Sequence, residues 1–168
     1  MTEVAACTAI IPGQGHGMTG LESSMVLESS MVFVYGSLKR DQANHHWLAG
    51  ATWLGEATLD GVQLFDLGPF PMAVEMAVEM EAEMAPSPEL SNPLRGELYQ
   101  VNGSTLTQLD RLEGAPRLFQ RHWRTLCDGR GAWVYLGRAA QVRHVPQIPS
   151  GHWGGPRLAR WRRAEAMP

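Results

Sequence analysis

Two features of this chain can do chemistry, and they lie far apart. One is the run Val32-Phe33-Val34-Tyr35-Gly36-Ser37-Leu38-Lys39; the other is the carboxylate of Glu113. The β-branched and aromatic half of the run predicts a buried strand. Gly36 then permits a backbone conformation that a Cβ would resist. Ser37 and Leu38 follow with N–H groups that no longer belong to a strand ladder. Successive free N–H groups beside a hydroxyl form a small anion nest. The same residues also read as a plain strand-to-turn transition. Glu113 closes a predicted helix over 105–113, in which Leu106, Leu109 and Leu112 recur every third residue and face the core. One turn after Leu109, Glu113 lies beside that stripe rather than opposite it. It also sits at the negative end of the helix dipole, with Asp110 adding a like charge. All three effects disfavour the ionised form and predict a raised pKa. That suits a general acid/base working near neutral pH. A solvated glutamate at a frayed helix end is the alternative.

Other candidates carry less. His45 and His46 are adjacent, so on a helix they point about 100° apart and read as surface or packing residues rather than a metal pair. Glu97 and Tyr99 share one face of a strand; they either line a cavity or pack as a partnered pair. Cys127 reads as a core thiol. Arg157, Arg160, Arg162 and Arg163 surround Trp161 and read as a solvated basic tail rather than an RNA contact.

The nest and Glu113 need elements to hold them. Asp41 to Ala49, capped by Asp41 and stopped by Gly50, predicts a short helix. Residues 51–58 and 61–67 predict two strands across Asp60-Gly61, a hairpin signal. A strand over 70–78 follows, then an acidic, proline-bearing loop over 79–93. Residues 94–101 form another strand. Ser104 and Gly114 bound the helix over 105–113. A closing hairpin over 117–127 and 131–137 turns around Asp128-Gly129-Arg130-Gly131. Many short strands with two short helices predict an α+β domain built on a small mixed, closed or nearly closed sheet.

Composition narrows the class. The length suits one domain, and the 44% apolar fraction supports one core. A net charge of −3 argues against nucleic acid. The two cysteines, Cys7 and Cys127, exclude a disulfide framework and a four-thiolate zinc site. No apolar run approaches the roughly 20 residues a membrane span needs, and the acidic N-terminus makes a poor signal peptide. A soluble cytoplasmic protein is the expectation. Residues 1–30 carry a tandem duplication, Leu21 to Val26 repeated as Leu27 to Val32. Met72 to Glu75 recurs as Met76 to Glu79. Such short periods build no solenoid. Residues 1–30 are therefore expected to be a disordered extension, 31–153 the domain and 154–168 a basic tail.

Tyr35-Gly36-Ser37-Leu38 resembles the signature loop of the γ-glutamylcyclotransferase-like, or AIG2-like, proteins. The likeness continues through Asn44-His45-His46-Trp47-Leu48, Trp53-Leu54-Gly55, Leu64-Phe65-Asp66-Leu67-Gly68 and Phe70-Pro71. It extends to Gly96-Glu97-Leu98-Tyr99, Leu109-Asp110-Arg111-Leu112-Glu113, Ala132-Trp133-Val134-Tyr135 and Ser150-Gly151-His152-Trp153. These segments resemble the family's bacterial branch and occur in family order. The resemblance implies a compact mixed barrel with a cavity at the end of the first strand. It implies that Glu113 is the catalytic glutamate, that Tyr35, Gly36, Ser37 and Leu38 bind substrate, and that Tyr135 lies near the pocket. The implied reaction is cyclisation of a small-molecule γ-glutamyl amine or peptide to 5-oxoproline, with no metal or cofactor. A non-catalytic small-molecule-binding or interaction domain on the same fold is the alternative. Asp41 stands where the family often has glycine. The segment Met72 to Glu83 is inserted near the expected pocket mouth.

Overall fold

The apolar run at 32–35 needs partners on both sides, and β1 (Ser29–Val34) has them. In the computed structural model, which describes residues 28–76 and 92–156, β1 is the middle strand of a five-stranded mixed sheet. The strand order is β2 (Thr52–Leu59), β5 (Leu94–Asn102), β1, β7 (Gly131–Leu136) and β6 (Gln120–Thr125). β1 pairs antiparallel with β5, Phe33 opposite Leu98, and parallel with β7, Phe33 opposite Val134. A strand flanked and covered in this way is apolar on both faces. Phe33 enters one core cluster with Leu59, Leu98 and Val134, while Val32 and Val34 enter the other with Tyr99, Leu109 and Tyr135. The strand starts at Ser29, whose Oγ accepts from Gln100 Nε2 at 2.9 Å, slightly before the expected boundary at 31.

β3 (Val62–Asp66) and β4 (Pro71–Glu75) form a separate two-stranded sheet. The hairpin expected across Asp60-Gly61 is therefore absent. β2 pairs with β5 and β3 with β4, so the turn is a corner between sheets. The cause lies in the core: Leu59 and Leu64 approach one apolar cluster from different sheets, which a flat hairpin would not allow. The small sheet is stitched to its surroundings by Gly137 N–H donating to Ala73 O at 2.8 Å and Ile148 N–H to Leu64 O at 2.7 Å. The α+β class is as expected, and the two sheets are not closed into a barrel.

The helix α1 (Gly103–Leu112) covers the face holding Val32 and Val34. Its N-cap is Asn102 rather than Ser104, with Asn102 Oδ1 accepting from Thr105 N–H at 2.8 Å. The first expected helix shrinks to a 3-10 turn, His45–Leu48. Asp41 does not cap it. It adopts φ 64°, the left-handed conformation that glycine takes most readily. Cys127 is half-buried beside the β6–β7 turn rather than in the core. Residues 1–27, the second copy of the four-residue repeat beyond Met76, most of the acidic loop and the arginine cluster lie outside the described residues.

Candidate active site

β1 ends at Val34, and the chain turns through residues 35–40 before the 3-10 turn. Here a cavity of about 270 Å3 opens, lined by the end of β1, the 36–38 turn, Asn44, the 69–71 segment, the end of α1 and residues 118–119. The six residues that the family resemblance implies all border it: Tyr35, Gly36, Ser37, Leu38, Glu113 and Tyr135.

The turn has the form of a nest. Among the described residues, nothing accepts from the backbone N–H groups of Gly36, Ser37 and Leu38, while the carbonyls of Gly36 and Ser37 are used locally. Asn44 braces the turn at two points. Its N–H donates to Ser37 O at 3.0 Å, and its Nδ2 donates to Ser37 Oγ at 3.0 Å. With that lone pair occupied, the Ser37 hydroxyl keeps its proton for a ligand. His45 Nδ1 sits 3.0 Å from Leu38 O and holds the far end of the turn. Gly36 is required for a different reason from the one expected. Its φ is ordinary, but a Cβ there would stand 2.9 Å from Pro71 Cγ and 3.0 Å from Cδ. The glycine lets the turn lie against the first residue of β4.

Glu113 caps the C-terminal end of α1, its N–H donating to Leu109 O at 2.9 Å. Gly114, at φ 61°, then reverses the chain as left-handed C-terminal glycines do. The apolar residues Leu112, Phe119, Phe70 and Pro71 line the same cavity as Glu113. Burial pushes its pKa up to about 7. The expected contribution of Asp110 does not appear, because that carboxylate is committed elsewhere. Asp110 Oδ1 accepts from Tyr135 O–H at 2.7 Å and Oδ2 from Arg121 Nη1 at 2.8 Å.

Both tyrosines use their hydroxyls structurally. Tyr35 O–H donates to Tyr135 O at 2.6 Å and accepts from Ala73 N–H at 3.1 Å, joining β1, β7 and β4. Burial above all holds both phenols far above the ordinary tyrosine range. Both residues line the cavity while their hydroxyls are engaged by other protein groups. Glu97 and Tyr99 do not border it. Tyr99 O–H donates to Glu97 Oε2 at 2.8 Å, and Arg40 N–H donates to the same oxygen at 3.0 Å. Asn44, Phe70, Pro71, Leu118 and Phe119 were not assigned to the site from sequence. Apolar residues in loops carry no periodic signal, although Asn44 and Phe70-Pro71 stand in segments that carry the family likeness. Among the described residues no three His, Cys, Asp or Glu side chains gather as a metal site. No helix there is long and apolar enough to cross a membrane.

The cavity therefore offers three backbone N–H groups without an acceptor among the described residues, the Ser37 hydroxyl, an apolar wall and one buried carboxyl. Comparison with known proteins points the same way. The family model for gamma-glutamyl cyclotransferase, AIG2-like, matches residues 32–155. The gamma-glutamylcyclotransferase family protein YtfP of Escherichia coli K12 is 33% identical over 127 residues, which span 73% of this chain and 94% of that protein. Gamma-glutamylaminecyclotransferase A of Danio rerio is 32% identical over 90 residues, 54% of each chain. The solution structure of E. coli ytfP matches with a TM-score of 0.54 and 32% identity, covering 73% of this chain and 95% of that one. A mouse AIG2-like protein matches with a TM-score of 0.57 at 21% identity, covering 74% and 88%, and so supports the fold. The chain belongs to the gamma-glutamyl cyclotransferase, AIG2-like family.

Proposed function

We propose that the protein cyclises a γ-glutamyl amine or peptide to 5-oxoproline, with Glu113 as the single acid/base. The observation that carries this reading is the juxtaposition of a buried carboxyl, raised to about 7, with unpartnered N–H groups in one cavity. The substrate supplies its own nucleophile. The nest of residues 36–38 holds the α-carboxylate or the oxyanion that develops at the γ-carbonyl. Ionised Glu113 takes a proton from the α-ammonium. The freed amine attacks the γ-carbonyl carbon, forming the ring C–N bond. The tetrahedral centre collapses, the bond to the leaving nitrogen breaks, and Glu113 returns its proton to that nitrogen. The ring nitrogen gives up its second proton to water to leave the neutral lactam. Holding the chain folded for a five-membered closure supplies much of the acceleration.

Release of 5-oxoproline across a panel of γ-glutamyl amino acids, glutathione and γ-glutamyl-ε-lysine tests the reading. Turnover is expected from at least one, and Glu113→Gln should lower it by about 10² to 10⁴-fold with the fold intact. A loss under about tenfold removes Glu113 from the role of base. Binding of γ-glutamyl compounds without release would make the domain a binding module.

A further inference from the structure

We infer that Asp110 is a positioning residue for Glu113, clamped by Tyr135 and Arg121 so that the end of α1 cannot turn away from the cavity. The inference rests on the reading of Glu113 as the acid/base. No hydrogen bond reaches the Glu113 carboxylate from the described residues, so nothing at its own tip fixes its direction. Only its backbone is held, by Leu109 O and by Phe119 N–H donating to Glu113 O at 3.3 Å. Whatever fixes the last turn of α1 therefore aims the acid.

Asp110 is the side chain that fixes it. Tyr135 and Arg121 are directly opposite each other on β7 and β6, so their side chains leave one face of the hairpin together. Each takes one oxygen of the same carboxylate, at 2.7 and 2.8 Å. Arg121 is itself steadied, its guanidinium lying 4.8 Å from the centre of the Trp133 ring. The Asp110 carbonyl also accepts from Ala115 N–H at 2.9 Å, so the residue grips the chain on both sides of Glu113. The ion pair is part-exposed, and such pairs add little to stability. What two short, divergent bonds to one carboxylate do supply is direction. The clamp also keeps the Asp110 charge paired, which is why it does not act on Glu113.

The ionisable groups around the acid are Tyr35 just past β1, Tyr135 of β7, Asp110 and Arg111 of α1, Arg121 of β6 and His45 of the 3-10 turn that packs on α1. Tyr135→Phe changes none of the formal charges and keeps the ring against the cavity. NMR titration of the Glu113 carboxyl carbon, assigned with Glu113→Gln, reads the acid directly. In Tyr135→Phe its midpoint should fall by about one pH unit as the loosened helix end admits water. Asp110→Ala should lower kcat roughly 10 to 100-fold with KM changed less than about threefold. Asp110→Asn, which still accepts from Tyr135, should recover most of that loss. An unmoved Glu113 midpoint in both Tyr135→Phe and Asp110→Ala overturns the inference. If the wild-type protein releases no 5-oxoproline, the proposed reaction fails, and the titration still decides the positioning.

Discussion

Glu113 costs the fold something, and the sign of that cost can be worked out. Its carboxyl is neutral below its unfolded value near 4.5 and, in the folded protein, stays neutral up to about 7. Stability linked to this group is therefore full below about 4.5 and is lost as pH rises through 7. Glu113→Gln should match the wild type at pH 4 and exceed it at pH 8 by up to about 3 kcal/mol, read by denaturant melts across pH. A variant no more stable than wild type at pH 8 would mean that the carboxyl is hydrated. On the proposed mechanism the same group sets the activity profile. The base must be ionised in the free enzyme, so kcat/KM should rise with pH along a limb centred near 7. A limb near 4.5 would show an acid in water rather than a buried one. On that mechanism activity and stability should move in opposite directions over one pH window, both through one side chain.

The 36–38 turn works as an element because β1 stops where Pro71 begins. Gly36→Ala would place a Cβ 2.9 Å from Pro71 Cγ, on a ring that cannot swing aside. The variant should lose about 1 to 3 kcal/mol in denaturant melts and bind γ-glutamyl compounds more weakly, because the turn must lift from β4. Unchanged melting would show that the turn is not seated there. The sequence made this turn legible as a strand end with spare N–H groups, but it suggested φ freedom as the reason for Gly36. The true reason is a contact with a residue 35 positions away, which no local pattern encodes. The β6–β7 hairpin, β5 and α1 were equally legible, since alternation and leucine spacing are local. The α1 cap was misplaced because Asn102 and Ser104 are both good caps two residues apart, and only the Asn102–Thr105 bond separates them. Asp41 was read as a cap when it is a left-handed turn residue, a role open to aspartate as well as glycine. The β2–β3 corner read as a hairpin because both begin with the same turn chemistry.

At the scale of the whole molecule, the cavity belongs to no single element. The parallel pairing of β1 with β7 joins residues about a hundred positions apart, and it brings Tyr35 beside Tyr135. The Tyr35 hydroxyl then spans three strands, reaching Tyr135 O on one side and Ala73 N–H on the other. Behind the same turn, Lys39 Nζ donates to Trp153 O at 2.7 Å, so the Ser150-Gly151-His152-Trp153 segment fastens the turn from its far side. This gives that late segment a structural role, independent of the chemistry. An open pair of sheets, unlike a barrel, has no closed ladder to keep its halves together. Tyr35 is one of the few polar ties that does so. Tyr35→Phe keeps the ring and removes the tie, leaving the fully buried Ala73 N–H without its acceptor. The loss should be about 1 to 3 kcal/mol. Because the wild-type phenol stays protonated far above neutrality, that loss should be the same at pH 5 and pH 9, unlike the pH-dependent change at Glu113. Hydrogen exchange should show the β3–β4 amides opening more readily than those of β5. If β3–β4 protection is unchanged while global stability falls, the hydroxyl is a local packing feature and the two sheets are held together by their apolar contacts and by backbone bonds such as Gly137 N–H to Ala73 O.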